Sequence, residues 1–403
     1  MRLYVSAAVA LVALFLLANA SAHDGYFSDD DLDNLGWNSF VQIDEYRNGI
    51  VDLKLSPHNF RPVGHFMYYA MWRLVGLDFA WYTALTQTLH LANAALLFWL
   101  MLRLGAERWP ALGATALWLF HPALLAAHWK PMYVFDLLCG TFCLLTLLAW
   151  LDKRWVLAAL AFWCAYKAKE VAIFLPAAIA LYEFTAGGRR WKPLLPLLAI
   201  SANFGLQAVF REKGPETVYT LHFTLDALRT TVPFYAARLG WMLVAIAGIA
   251  RKTVWTYAGF FLMLFPLLAL PGRLFAVYLY VPLLVLAVAA AFALGRLRWC
   301  AVPVLVLAAY QDHRAIREFR REELAAARDR RTYVETLSRY LKARAALDEL
   351  VLWGTPPSMN RWGPEGAAHL LSRRHDLPVR WADTPEALRW DERNRRLLLP
   401  GLD

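Results

Sequence analysis

Apolar runs recur along the whole chain and are separated by short polar connectors. A run of about 17–25 apolar residues is long enough to cross the hydrocarbon core of a bilayer as a helix. The pattern therefore predicts an all-α polytopic membrane protein with about eleven transmembrane helices. The predicted spans are residues 3–22, 82–102, 110–128, 132–151, 155–168, 171–186, 193–210, 232–250, 254–270, 276–295 and 299–311.

The connectors between these spans alternate in charge, and this alternation predicts on which side of the membrane each connector lies. With a cytoplasmic N-terminus, each inner connector carries at least two Lys or Arg residues, as the positive-inside bias requires. The inner connectors are residues 103–109, 152–154, 187–192, 250–252 and 295–298. The outer face then holds residues 23–81, 121–133, 167–171, 211–231 and 271–275, and also the tail at 312–403.

Two N-terminal segments need their own interpretation. Residues 3–22 resemble a signal peptide with small residues near Ala22, or a membrane anchor. We favour an uncleaved span, because the apolar stretch exceeds the usual signal core of about 7–15 residues. Residues 66–76, FMYYAMWRLVG, are short for a span and include Arg73. They predict an amphipathic helix lying at the membrane interface.

The C-terminal region has a different pattern, which predicts two domains, 1–311 and 312–403. From Asp312 to about Leu350 the sequence is charged and favours a helix. Short apolar pieces follow, separated by turn residues, and they predict a small α/β extramembrane appendage. These pieces are Glu349–Trp353, Pro378–Trp381 and Arg396–Leu399.

Composition supports a membrane protein and excludes other classes. Hydrophobic residues make up 59% of the chain and charged residues 18%, against about a quarter charged in soluble proteins. The net charge of +10 lies largely in the connectors and the tail, so nucleic-acid binding is not favoured. The four cysteines lie in apolar segments and have neither a disulfide framework nor a zinc spacing.

The densest acidic cluster follows the first span, in the stretch GYFSDDDLDNLGW from Gly25 to Trp37. Most such runs are solvated patches beside a membrane. This run, however, is anchored by a membrane helix and followed by an aromatic-rich loop. A carboxylate held near the bilayer surface can act as a general base toward a hydroxyl acceptor.

Other candidate residues belong to connectors on the same predicted face. Arg61 precedes Pro62, and its guanidinium suits a phosphate, although an arginine at a membrane edge also binds lipid phosphate without further function. Lys169 and Glu170 lie at the outer end of a span, where ionisable groups are often functional, although such lysines commonly snorkel to the interface. The remaining candidates are His121, Lys130 and Asp136. His121 and His128 do not have metal-ligand spacing.

The order of these motifs resembles the GT-C superfamily of polyprenyl-phosphate-sugar glycosyltransferases. The likeness is to the protein O-mannosyltransferase and transmembrane/tetratricopeptide-repeat mannosyltransferase branches, over about residues 24–185. It is carried by Phe27 with Asp30 and Asp31, Arg61-Pro62, His90-Leu-Ala-Asn93, His121-Pro122, Asp136 and Lys169-Glu170, with a weaker Tyr280-Val-Pro282.

This resemblance implies an inverting transfer of a sugar from a polyprenyl-phosphate donor to a hydroxyl acceptor. Asp30 or Asp31 would be the general base, and Asp29 stays a candidate because the register is ambiguous by one residue. Basic groups would stabilise the leaving phosphate. Arg61, Lys130 and Lys169 are the candidates for this role, and His121, Asp136 and Glu170 complete the predicted substrate-binding set.

The expected partners are the lipid-linked donor, a protein, glycan or lipid acceptor, and the bilayer. The residues predict no particular cofactor, and a requirement for a divalent metal stays open. The expected location is a bacterial-type inner membrane, with the catalytic loop at 23–81 and the tail outside the cytoplasm.

The chain also departs from the family pattern. Ala126 stands where a Glu is usual and Val134 where an Arg is usual, and the tail lacks the pattern of tetratricopeptide repeats. These departures leave open an inactive homologue that acts in assembly. A transporter or flippase of a lipid-linked sugar is a separate alternative.

Overall fold

The computed structural model describes residues 2–54, 60–210, 217–344 and 347–400, and most of them are helical. The first helices are α1 (Arg2–Ala18), α2 (Asp29–Asn38), α3 (Ile43–Val51), α4 (Pro62–Val75), α5 (Phe79–Arg103), α6 (Arg108–Leu119), α7 (Leu125–Trp129) and α8 (Val134–Leu151). The later helices are α9 (Trp155–Ala168), α10 (Leu175–Thr185), α11 (Leu195–Phe210), α12 (Leu225–Ala236), α13 (Val254–Leu268), α14 (Tyr280–Leu297), α15 (Ala301–Ala343) and α16 (Trp362–Ser372).

Each predicted span falls on helical residues, but not every helix is long enough to cross a bilayer. Four helical stretches have the required length and apolar composition. They are Leu3–Asp24, Phe79–Arg103, Pro131–Leu151 and Ala276–Leu297. Two bent pairs raise the number to six if each pair is counted as one span. The chain is therefore a helical protein with several candidate membrane spans, and the predicted number of eleven is not confirmed.

The bends have identifiable causes in the sequence. Arg108–Leu119 and Pro122–Trp129 meet at 53°, where Pro122 begins a new helical turn and the preceding residue is pushed out of the helical region. Leu225–Ala236 and Gly240–Gly248 meet at 89°, and Gly240 has a φ of +49° that breaks the helix. Neither bend can be predicted from the apolar runs alone, because the hydropathy of a segment does not depend on the direction of its helix axis.

The predicted interfacial segment 66–76 lies within and just beyond α4, which begins with Pro62 at its first position. Proline suits this position because its missing N–H would have no partner inside the helix. Met67 and Tyr68 are buried, whereas Phe66 and Leu74 are exposed. The helix therefore has one face packed on the protein and apolar residues on the other.

The C-terminal region begins with α15, a continuous helix of 43 residues that joins the last predicted span to the tail. A four-stranded sheet of order β2-β1-β3-β4 follows, formed by β1 (Leu350–Trp353), β2 (Val379–Trp381), β3 (Leu388–Asp391) and β4 (Arg396–Leu398). β1 pairs in parallel with β2 and β3, and β3 pairs antiparallel with β4. The small predicted α/β region is present, and its three apolar pieces are strands. The sequence analysis missed β3.

The described residues form three hydrophobic clusters, of which two are large. The larger of these two lies among the apolar helices, including the candidate membrane spans. The second joins Phe27 and Leu35 of the first loop to Tyr68 of α4, Tyr333 of α15 and Leu352 of β1. The C-terminal region therefore shares its core with the acidic loop and packs directly on it.

Candidate functional site

A cavity of about 680 Å³ opens beside the acidic helix, within the size range of small-molecule sites. Its walls come from every connector that the charge pattern assigned to the outer face. These connectors contribute Asp30 and Arg61, Tyr133, Lys169, Tyr219 and Arg273. The convergence of these connectors makes this cavity the candidate site.

The inner connectors also meet one another. Arg103 and Asp152, from two different inner connectors, form an ion pair. Arg296 of the inner connector 295–298 donates to the backbone oxygens of Ala247 and Ile249, which lie beside the inner connector 250–252. These contacts join the inner connectors, or residues beside them, to one another.

Helix α2 presents the acidic run, and Asp31 caps the start of this helix. Its carboxylate accepts hydrogen bonds from the Ser28 backbone N–H at 2.8 Å and from Ser28 Oγ at 2.7 Å. Tyr68 Oη donates to its other oxygen at 2.8 Å. Asp31 is fully buried, and burial raises its pKa to about 6 although its donors lower it. These contacts give Asp31 the role of a helix cap.

Asp30 lines the cavity, whereas Asp29 faces the C-terminal region. Asn360 donates from both its backbone and its side chain to Asp29 Oδ2. Trp362 Nε1 donates to Asp30 Oδ1 at 2.8 Å. Burial and the neighbouring Asp29 carboxylate raise the pKa of Asp30 above its ordinary value. Of the three predicted aspartates, only Asp30 reaches the cavity.

Arg61 and Glu170 form a bidentate ion pair across the cavity wall. Arg61 Nε lies 2.8 Å from Glu170 Oε1, and Nη2 lies 2.9 Å from Oε2. The two residues come from loops 109 positions apart. The structure thus brings together two predicted site residues, but each neutralises the other. Residues 55–59, which precede Arg61 in the same predicted outer loop, lie outside the described residues.

Asp136 and Lys169 form a second pair, with Lys169 Nζ 2.6 Å from Asp136 Oδ1. Both side chains are largely buried. Asp136 lies in the first turn of α8, where the helix dipole also favours a negative charge. Lys169 therefore neutralises a carboxylate that would be costly to bury unpaired at the start of an apolar helix.

Lys130 and His121 do not line the cavity. Lys130 Nζ lies 2.5 Å from Glu323 on α15, which also contacts Arg330. His121 is buried, accepts from the Ala123 N–H and contacts the Leu239 carbonyl oxygen. Both residues therefore hold the fold around the site together.

The remaining motif residues meet inside the helix bundle. His90 Nδ1 lies 2.9 Å from Tyr280 Oη, and Asn93 Nδ2 donates to the same oxygen at 3.0 Å. Asn93 Nδ2 also donates to the Leu137 carbonyl oxygen. These residues join α5 to α14 and α8 and lie apart from the cavity lining.

Arg273 is a cavity residue that the sequence analysis missed. Within the described ranges no carboxylate forms an ion pair with it, and its Nε has no hydrogen-bond partner there. Its guanidinium lies 4.5 Å from the Tyr219 ring centre and 4.8 Å from that of Phe275. The available signal was a basic residue in an outer connector, where the positive-inside bias disfavours it.

An aromatic wall lines the side of the cavity near Arg61. His65 is surrounded by Trp37, Phe60 and Phe135, with ring centres 4.9–5.5 Å apart. Burial and the nearby Arg61 charge lower the pKa of His65 to about 4. His65 is therefore neutral at physiological pH and accepts a hydrogen bond from the Arg61 backbone N–H.

The described residues contain no group of three or more His, Cys, Asp or Glu side chains arranged to hold a metal ion. No family profile, curated protein or solved structure matches the chain significantly.

Proposed function

We propose that the protein is an inverting glycosyltransferase of a membrane surface. It moves a sugar from a polyprenyl-phosphate donor to a hydroxyl acceptor. The observation that carries this proposal is the pairing, within one cavity, of an accessible carboxylate with a cation that has no ion-pair partner among the residues that the structure describes. The carboxylate is Asp30 and the cation is Arg273.

In this reaction Asp30 accepts the proton of the acceptor hydroxyl. The acceptor oxygen forms a bond to the anomeric carbon while the bond from that carbon to the phosphate oxygen breaks. The lipid phosphate leaves with the bonding electrons, so negative charge grows on it in the transition state. Arg273 stabilises this charge, because a preorganised cation acts most strongly where charge develops.

The neighbouring groups support the same roles. The Lys169–Asp136 and Arg61–Glu170 pairs lie on the cavity wall and hold its shape. Their cations contribute less than Arg273 does, since each already has a carboxylate partner. Rings such as Trp37 and Tyr278 provide the apolar surface that ligand pockets usually combine with a few polar groups.

The proposed location is the outer face of a bacterial-type inner membrane. This orientation rests on the basic inner connectors. The acidic helix, the cavity and the C-terminal region then lie on the side away from the cytoplasm, where the lipid-linked donor would be presented.

The test is a transfer assay with purified full-length protein and a panel of synthetic polyprenyl-phosphate sugars. Asp29, Asp30 and Asp31 are replaced by Asn one at a time and together. Loss of transfer in D30N, with D29N active and folded, supports the assignment. Unchanged transfer in D30N and in the triple variant would exclude an aspartate base.

A transporter or flippase of a lipid-linked sugar is the second candidate. The two bent helix pairs favour it, because discontinuous helices often line transport sites. Proteoliposomes with a fluorescent polyprenyl-phosphate sugar separate the two functions. Movement across the bilayer without transfer would replace the enzyme proposal. Absence of both activities would favour the inactive homologue suggested by Ala126 and Val134.

A further inference from the structure

Helix α16 of the C-terminal region lies against α2 with the two backbones in direct contact. A Cβ atom added to Gly36 would lie 2.5 Å from the Gly366 carbonyl oxygen. One added to Gly366 would lie 2.6 Å from the Leu32 carbonyl oxygen. Neither position has room for a side chain, so the crossing depends on glycine in both helices.

This crossing places the start of α16 over the acidic residues of α2. Asn360 binds Asp29, and Trp362 binds Asp30 Oδ1. Within the described part of the chain no donor contacts Asp30 Oδ2. The indole N–H therefore occupies one carboxylate oxygen and leaves the other available to a ligand in the cavity.

We infer that residues 347–400 complete the candidate site and that Trp362 is a positioning residue for Asp30. The inference rests on the proposed role of Asp30 as general base. The hydrogen bond holds the plane of the carboxylate so that Oδ2 points to the acceptor, and it favours the ionised form that takes the proton.

A packing role alone does not account for this contact. Trp362 is 42% exposed, so its indole N–H does not need a protein partner to avoid a buried, unsatisfied donor. It nevertheless donates to Asp30, which lines the cavity. The titratable groups that act on Asp30 are Asp29, Asp31, Asp33, Tyr68, Lys130, Tyr133, Tyr219 and Arg273. Glu365 of α16 acts on the neighbouring Asp33, whereas the hydrogen bond from that helix to Asp30 comes from Trp362.

The variant that tests the inference is W362F, which removes the N–H and keeps an aromatic ring. Its matched control is W381F, because Trp381 Nε1 donates to Glu365 in the same region rather than to Asp30. Both variants of the full-length protein are purified and treated with a diazo reagent, which esterifies protonated carboxyl groups. Mass spectrometry then gives the pH at which half of Asp30 reacts.

We expect W362F to raise this midpoint by about one pH unit, because a hydrogen bond to a charged group is lost. W381F should leave it unchanged. An unchanged midpoint in W362F, or an equal shift in W381F, would overturn the inference.

The same variants separate this inference from the proposed function. If the midpoint shifts but no donor is used by the wild type, Trp362 positions Asp30 and the proposed enzyme activity is wrong. If the wild type transfers sugar, W362F should shift the acidic limb of the rate–pH profile to higher pH by the same number of pH units. Transfer with an unshifted profile would leave Asp30 as the base and remove Trp362 from the mechanism.

Discussion

Arg61 and Glu170 bind each other through two parallel hydrogen bonds of 2.8 and 2.9 Å across 109 residues of sequence. Lys169 is paired with Asp136 in the same wall, and Lys130 is paired with Glu323 outside it. The three cations that the sequence predicts to bind phosphate therefore each form an ion pair with a carboxylate of the same chain. This leaves Arg273 as the cation with the strongest claim to an anionic ligand.

Replacing Arg273 should weaken donor use selectively. We expect R273A to lower kcat/KM by roughly 10- to 100-fold, because a charge-assisted hydrogen bond contributes about 1.5–3 kcal/mol, and R273K to recover part of the loss. The measurement is transfer from a synthetic polyprenyl-phosphate sugar. R229A is the control, since Arg229 forms an exposed pair with Asp226. Equal losses in R273A and R229A would contradict the assignment.

Asp30 and Asp31 should respond differently to substitution. D30N should lose transfer by about 10²- to 10⁴-fold, the usual contribution of a general base, with little change in Tm. D31N should lower Tm, because the amide accepts through one oxygen only and leaves a buried Ser28 or Tyr68 donor unsatisfied, at a cost of about 1–3 kcal/mol. Thermal unfolding in detergent and the transfer assay together check both outcomes. A large fall in Tm for D30N alone would reverse the two roles.

The Asp136–Lys169 pair should show strong coupling. Both side chains are largely buried, so removing one partner leaves an uncompensated charge that costs about 3–5 kcal/mol. We expect D136N and K169M each to lower the free energy of unfolding more than the double variant D136N/K169M does. A double-mutant cycle measures this coupling, and additive losses would contradict it.

The contributions of Asp31 and Asp33 to stability should fall as pH rises from about 4 to 6. The folded-state pKa of Asp31 is about 6, against an ordinary value near 3.8, so the folded protein binds a proton that the unfolded chain releases in this interval. Burial and the nearby Asp30 charge raise the pKa of Asp33 to about 6 as well. Tm measured at intervals of half a pH unit tests the trend. The Tm of D33N relative to the wild type should rise as pH rises across this interval, because the variant lacks the Asp33 contribution. A difference in Tm that does not change with pH would contradict the prediction.

The crossing of α2 and α16 should not tolerate a side chain. G366V should loosen the C-terminal region, because its side chain would meet the backbone at Leu32 and Asp33. Limited proteolysis should then cut within residues 347–400 faster than in the wild type. G205A is the control, since its nearest neighbour would be 3.7 Å from the new Cβ. If the protease cuts G366V no faster than G205A, α2 and α16 leave room for a side chain at their crossing and the prediction is wrong.

Much of the helical framework was predictable from the sequence. Hydrophobic runs located the helices, and turn residues bounded three of the four strands, because these features depend on local composition and period. The connectors that line the cavity were also assigned to one face from their charges. The strand Leu388–Asp391 was missed because its four residues carry alternating polar and apolar side chains too briefly to stand out.

The tertiary structure alone decided the number of long helices and the composition of the site. The bends at Pro122 and Gly240 change direction without changing hydropathy. The contact between Asp30 and Trp362 spans 332 residues. Whether a carboxylate is a cap, an ion-pair partner or an available base depends on distances between elements distant in the chain. The sequence by itself determined which residues could carry the chemistry, and only the packing of the helices decided that Asp30 and Arg273 face the same cavity.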